Sequence, residues 1–334
     1  MRIIQCEEIT IENYLKHRSE EETKESLLEG LSHCSKRISS IFFYDAVGSE
    51  LFEEITRLPE YYLTRTEIPL IIKAANHLQD RLRDVDIVEF GSGDPTKISL
   101  ILDAVPEHLL HTITYIPVDV SDAVVKQSSA LLLERYPGIK IRGVVADFFS
   151  QLDVIPKHSK KIFCFLGSTI GNFSPEKAQE FLINVSAIMN AGDILLVGFD
   201  MVKNIEILEK AYNDDSSITE RFNKNILTVV NTYLDTDFNP DDFDHVAFYN
   251  QKHSRIEMHL KALRDLEITG SSLAEPLRIQ QGETLHTENS YKFTVEDIYR
   301  FADAANLCIH HRYTDMHNWF SLVQFLKKGE QGDV

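Results

Sequence analysis

The sequence predicts an α/β protein, a Rossmann-like, doubly wound, mostly parallel sheet carrying an α+β insertion. Three observations lead there. Between residues 86 and 199, short apolar runs alternate with amphipathic segments of helical period. Three successive runs lead into a glycine turn or an aspartate, where an open sheet feeds its ligand-binding loops. After residue 200 the alternation stops, and it resumes only near the C-terminus.

Residues 7–35 are acidic, with leucines at 15, 27, 28 and 31, and read as helical. Strands are expected at 86–90, 112–118, 139–145, 161–166 and 193–199, with helices at 96–105, 121–136 and 175–190. Residues 203–250 read as helices followed by the acidic loop "DTDFNPDDFD". The runs 254–263, 276–281 and 284–293 read as antiparallel strands. "TVEDIYRFADAANL" is a final helix, and 308–314 and 318–326 return to the first sheet. This order divides the chain into a core, 67–202 plus 293–334, and a partner domain, 1–66 plus 203–292.

Composition narrows the function. The chain has 334 residues and a net charge of −18, which repels phosphate backbones and anionic membranes. Neither a nucleic-acid partner nor a membrane is expected, and no window has the ~18 apolar residues of a membrane span. The N-terminal stretch is too acidic for a signal or transit peptide. Cys6, Cys34, Cys164 and Cys308 are scattered without a C-x-x-C pair, as for buried, inert thiols in a reducing cytoplasm. A cytoplasmic monomer acting on a small molecule is the expectation.

The ligand end of the core begins at "IVEFGSGDPTK", an apolar strand entering a glycine turn and then a helix. Gly91 and Gly93 let backbone N–H groups approach a ligand closely. A dinucleotide fingerprint needs a third glycine where Thr96 stands, and Glu89 repels a pyrophosphate. An acid there suits a ligand with a cationic amine. "TYIPVDVS" ends at Asp119, placed to grip ribose hydroxyls, and "IRGVVADFF" ends at Asp147–Phe148, an acceptor beside an apolar face for adenine. Strand-end acids also serve as helix caps, but three in succession favour S-adenosylmethionine.

"FFYDAVGSELFEEITRLPEYYLTRTE" (42–67), "FLGSTIGNF" (165–173) and "KAYNDDSSITERFNKN" (210–225) resemble the histidine-specific Nα-methyltransferases of ergothioneine biosynthesis. The resemblance runs from about residue 40 to residue 326. It implies a class I methyltransferase core, S-adenosylmethionine as cofactor, S-adenosylhomocysteine as product, and histidine converted to its trimethylated form, hercynine. It assigns Gly91, Lys97, Asp119, Asp147 and Phe148 to the cofactor, and Asn172, Tyr61 and Tyr212 to the substrate carboxylate. Tyr44, Gly167 and Thr219 match residues lining the same pocket, Gly167 being counted with the cofactor. Glu288 and Ser290, in "LHTENSYKF", match the pair that reads imidazole, with Met258 beside them. Pro95, Ile98, Ser99, Ser217 (for a glycine) and Tyr313 (for a tryptophan) depart from the family pattern.

The chemistry accords with those residue types. In-line methyl transfer needs alignment of amine, methyl and sulfonium, which can supply ~7–11 kcal/mol. Neutral Asn and Tyr donors hold a carboxylate without setting a cation beside an amine that becomes cationic. Tyrosine faces also attract methylammonium, by ~0.5–2 kcal/mol. Glu288 accepts from one ring nitrogen while Ser290 serves the other. With period two, His286, Glu288, Ser290 and Lys292 share a face, taken as the wall of a cleft between the domains. No general base stands out; Tyr44 and loss of the proton to solvent are both open, with Tyr44, Asn172 and Tyr212 as the candidate catalytic residues.

No metal is expected. His310–His311 point to opposite faces, and no cluster of three ligands emerges from the histidines. "DTDFNPDDFDH" has Pro240 at the glycine position of a calcium loop, and "GSTIG" is not a nucleophile elbow. Competing readings are a sister enzyme acting on tryptophan or prenylated tryptophan, and a non-catalytic amino-acid- or nucleotide-binding regulator.

Overall fold

The computed structural model describes residues 3–6, 9–15 and 20–328. The elements in chain order are β1 (Ile3–Cys6), β2 (Ile9–Asn13), α1 (Glu20–Ser32), α2 (Ala46–Thr56) and α3 (Tyr62–His77). There follow β3 (Val85–Phe90), α4 (Thr96–Leu102), β4 (Ile113–Asp119), α5 (Asp122–Arg135), β5 (Lys140–Val145) and β6 (Lys160–Phe165). Next come α6 (Pro175–Ile188), β7 (Ile194–Asp200), α7 (Ile205–Lys210), α8 (Ile218–Leu234), β8 (Phe243–Asn250) and β9 (Arg255–Ala262). The chain closes with β10 (Leu266–Ile268), β11 (Leu277–Ile279), β12 (Thr284–Tyr291), α9 (Val295–Ala304), β13 (Leu307–Thr314) and β14 (Phe320–Lys327). Helix starts follow their capping residues: Ser121, Ser174 and Thr294 each accept a backbone N–H of the first turn.

Two compact units emerge, residues 1–16, 65–202 and 293–334 in one, 17–64 and 203–292 in the other. The first holds a nine-stranded sheet in the order β1-β2-β5-β4-β3-β6-β7-β14-β13. Strands β2 to β7 pair parallel, while β14 runs antiparallel to both β7 and β13. Strand order reverses at β3 and β6, the switch point where open α/β sheets bind ligands. This is a Rossmann-like class I methyltransferase sheet. Its core strands are apolar on both faces, as helices on both sides require: every residue of β7, Ile194–Asp200, is buried.

The N-terminal expectation is corrected here. β1 and β2 form a hairpin, and β2 pairs parallel with β5, so this segment belongs to the main sheet rather than the partner domain. Among the described residues, the helix of this stretch spans Glu20–Ser32. Arg142 on β5 clasps Glu12 on β2 through Nη2 at 2.9 Å, fixing the added edge. Residues 7–8 and 16–19 of the expected helix, the termini of the assigned domains and the Cys6 side chain lie outside the described residues.

The second unit holds a three-stranded antiparallel sheet, β12-β9-β8, and a two-stranded ribbon, β10-β11. β8 also corrects the sequence reading, because the acidic loop gives way to a full strand from Phe243. β12 lies at the sheet edge, and residues 36–38 cover its start: Ile38 N donates to His286 O, and His286 N to Lys36 O, both at 2.9 Å.

Among the described residues, no helix is long and apolar enough to cross a membrane.

Candidate active site

In the first unit the candidate cofactor residues gather at the ends of β3, β4, β5 and β6. Gly91 and Gly93 have φ of +66° and +41°, and a Cβ on Gly91 would meet no atom within 4 Å. The backbone there faces open space, as a ligand-approach turn requires. Ser92 between them buries a hydroxyl that has no hydrogen-bond partner, a polar atom left over for a ligand. Glu89 lies buried just before the turn, accepting from Tyr115 Oη at 2.5 Å. Burial pushes its carboxyl up to about 8, against the pull of Tyr115 and Lys97.

Asp119 is also raised by burial, offset by backbone N–H groups of Ser121, Gly93 and Val120. Asp147 spends one oxygen on Phe149 N and the other on Ser150 Oγ, at 2.9 and 2.8 Å. It therefore caps its own turn while remaining half-buried. Phe148 packs against Phe90, Phe149, Phe165 and Phe181, ring centroids 5.6–5.9 Å apart. These acids and the open turn fit S-adenosylmethionine, whose ammonium, ribose and adenine need an acid, hydroxyl acceptors and an apolar wall.

Sequence reasoning missed Glu67. Its buried carboxylate pairs with Lys97 Nζ at 2.8 Å and accepts Gly167 N at 2.7 Å. It ties the helix after the glycine turn to the loop after β6. Gly198 makes room, since a Cβ there would lie 2.6 Å from Glu67 Oε1. Gly167 has φ +78°, and a Cβ on it would lie 2.9 Å from Lys97 Nζ. The only sequence signal was glycine inside an otherwise bulky strand. Asn172 ends the short helical turn Thr169–Asn172 after β6 and is half-buried.

In the second unit, β12, β9 and the end of α7 bring together the candidate substrate residues. Glu288 faces Met258 across the β12–β9 ladder, and Ser290 faces Ile256. Tyr212 Oη donates to Ser290 Oγ at 2.8 Å, and its ring meets that of Tyr61 edge-on at 6.3 Å. Glu288 is half-buried, and burial raises its carboxyl to about 7 against the pull of Lys292. Thr219 N donates to Asp214 Oδ1, while its buried Oγ1 has no partner of hydrogen-bond geometry. Tyr44 is 46% exposed and lies edge-on to Phe52 and Phe222.

Ser217 explains its own oddity. It adopts φ +54°, a left-handed conformation that favours glycine, directly before α8. Ser217→Gly is expected to raise stability by about 0.5–1 kcal/mol, read as a higher urea midpoint. A midpoint unchanged or lowered would count against backbone strain there. Ile98, Ser99 and Tyr313 are buried, and Pro95 stands at the cap of α4 without a side-chain hydrogen bond.

Two sequence expectations on β12 change. The ladder bulges between His286 and Glu288, so period two fails at Thr287. His286 turns away from Glu288 and bonds Asn289 Oδ1 through Nε2 at 2.9 Å, its ring 4.9 Å from that of His259. The expectation that no three ligand-type residues converge is also corrected. Glu257, His259 and His286 place one ligand atom each within 4.8 Å of one another. Arg255 Nη2 occupies Glu257 Oε1 at 2.6 Å, so a guanidinium already supplies the local positive charge.

Known proteins are similar to this chain over most of its length. Residues 23–327 match the family described as histidine-specific, SAM-dependent methyltransferase. The chain is 38% identical over 316 residues to histidine N-alpha-methyltransferase of Mycolicibacterium smegmatis, covering 94% of this chain and 98% of that one. The protein of the same name from Mycobacterium tuberculosis is 36% identical over 299 residues, covering 90% and 93%. Ergothioneine biosynthesis protein 1 of Schizosaccharomyces pombe is 29% identical over 256 residues, covering 73% of this chain and 33% of that protein. The chain therefore belongs to the SAM-dependent, histidine-specific methyltransferase family.

Proposed function

We propose that the protein methylates the α-amine of free L-histidine, up to three times, forming hercynine. The observation that carries this reading is the pairing of Glu288 and Ser290 on one face of β12, beside Met258 and Tyr212. A carboxylate and a hydroxyl so placed can serve the two nitrogens of one imidazole ring. An apolar side chain would leave both polar groups unpaired.

S-adenosylmethionine, when bound, supplies the electrophilic methyl group. Gly91, Gly93 and Lys97 would hold its tail, Asp119 the ribose, and Asp147 with Phe148 the adenine. Buried Glu89 would answer its ammonium. By the resemblance Asn172 and Tyr61 would offer neutral donors to the substrate carboxylate, whereas Tyr212, assigned with them, spends its hydroxyl hydrogen on Ser290. The substrate amine must be neutral to attack, and its proton leaves to solvent or to the Tyr44 phenol oxygen. A cytoplasmic setting, a monomeric state and catalysis without a metal belong to the same reading.

The test incubates the protein with S-adenosylmethionine and a panel of free amino acids, following mass gains of one to three methyl groups. Tryptophan methylated and histidine ignored would replace this reading with the sister activity.

Glu89 adds a pH signature. A cation drives its carboxyl from protonated to ionised, so binding S-adenosylmethionine below pH 8 should release a proton. Affinity should rise with pH, by roughly tenfold per unit at most, and level off above about 8. Calorimetry in two buffers of different ionisation enthalpy reads the proton directly. No release at pH 6.5 would remove Glu89 from the cofactor site.

A further inference from the structure

Lys292 has no role in the function derived so far, yet it is 2% exposed. Its ammonium donates to Ser290 Oγ at 2.8 Å and to Tyr212 Oη at 3.2 Å, and lies 5.1 Å from the centre of the Tyr212 ring. Its own backbone N–H is anchored to Ser254 O at 2.7 Å. Burying an ammonium costs several kcal/mol unless its donors are satisfied, so this placement fixes the two hydroxyls as much as they fix it.

The hydrogen inventory then has a consequence. An ammonium only donates, so neither hydroxyl can turn its hydrogen toward Lys292. Tyr212 donates to Ser290 as well. Ser290 Oγ therefore accepts twice, from Lys292 and from Tyr212, and both lone pairs are used. What Ser290 has left is its own hydrogen. A serine that could have donated or accepted has been made a donor.

We infer that Lys292 is a positioning residue that sets the polarity of the ring site: Ser290 must donate, Glu288 must accept, and the ligand must be a neutral imidazole in one tautomer. This deepens the histidine reading and rests on it. Lys292 also acts on Glu288 through space, and the partner of Glu288 across the ladder, Met258, carries no charge. The cation thus pulls the acceptor toward its ionised form while it turns the donor. An imidazolium, with two N–H groups, would confront the Ser290 hydrogen with another hydrogen.

The experiment compares the wild-type protein with K292M and K292Q, with S-adenosylhomocysteine binding as the control for folding. K292M is expected to raise KM for histidine about 10–100-fold with cofactor affinity unchanged. It should also move the acid limb of kcat/KM to higher pH, because Glu288 loses its cation. K292Q should recover part of the KM through its amide donor while leaving the shifted limb in place. A K292M enzyme with wild-type KM and acid limb overturns the inference, as does equal loss of histidine and cofactor binding.

A second measurement needs no variant. Ring-15N histidine bound to the wild-type protein with S-adenosylhomocysteine should show one protonated and one bare ring nitrogen. Two protonated nitrogens overturn the inference while leaving histidine as substrate. Failure of the wild-type protein to bind or methylate histidine overturns the functional reading beneath it as well.

Discussion

Glu288→Ala should lower kcat/KM for histidine roughly a hundredfold, about 2.7 kcal/mol, through KM, while S-adenosylhomocysteine affinity stays within about twofold. The magnitude is that of a hydrogen bond to a charged acceptor lost from a desolvated site. The same substitution should not destabilise the fold. Burial raises the Glu288 carboxyl from 4.5 to about 7, so the folded state holds its proton more tightly than the unfolded chain. That difference costs stability increasingly as pH rises from 4.5 toward 7, and the full cost persists above. At pH 8 the alanine variant should therefore unfold at the wild-type temperature or above it. Parallel kinetics and thermal melts decide the matter. A variant that loses cofactor binding and stability together would make Glu288 structural.

Gly91→Val should cut S-adenosylmethionine affinity by at least about a hundredfold, roughly 2.7 kcal/mol. A β-branched residue at φ +66° is strained by about 1–2 kcal/mol. Because no atom of the protein lies within 4 Å of the new Cβ, the remaining effect falls on whatever approaches the turn. Calorimetric titration with S-adenosylhomocysteine, beside a urea melt, separates the two. Unchanged affinity in a modestly destabilised protein would place the cofactor elsewhere.

The parallel core was legible because its strands are apolar throughout and stop at residues that cannot continue them, as in "IVEFGSG" and "TYIPVDV". β2 was not. "ITIEN" is short, half polar, and finds its parallel partner about 130 residues away, at Arg142. β8 was masked by the acids before it, although Phe243, Ala247 and their ladder with β9 make it a strand. Lys97 was found by resemblance, but its partner Glu67 was invisible, because only the tertiary fold sets a carboxylate against Gly198. Glu288 and Ser290 were placed correctly on one face of β12 by period two, while His286 was placed wrongly by the same rule. Periodicity holds until an extra residue interrupts it, and nothing in "LHTEN" announces where that happens.

That interruption makes Thr287 a frameshift in a two-letter code. On one face His286, Asn289 and Tyr291 meet the Arg255–Glu257–His259 network; on the other, Ser290 meets Tyr212 and Lys292. Thr287 itself is pinned by its hydroxyl to Asn223 Oδ1 and Met258 O, which keeps the shift from sliding along the strand. Lengthening or shortening the turn before Thr284 leaves the ring-reading pair in frame. Removing the single residue Thr287 would leave His286 opposite His259 and Glu288 opposite Met258 in an unbroken ladder, stripped of the hydroxyl that anchors the ring-reading pair to Asn223.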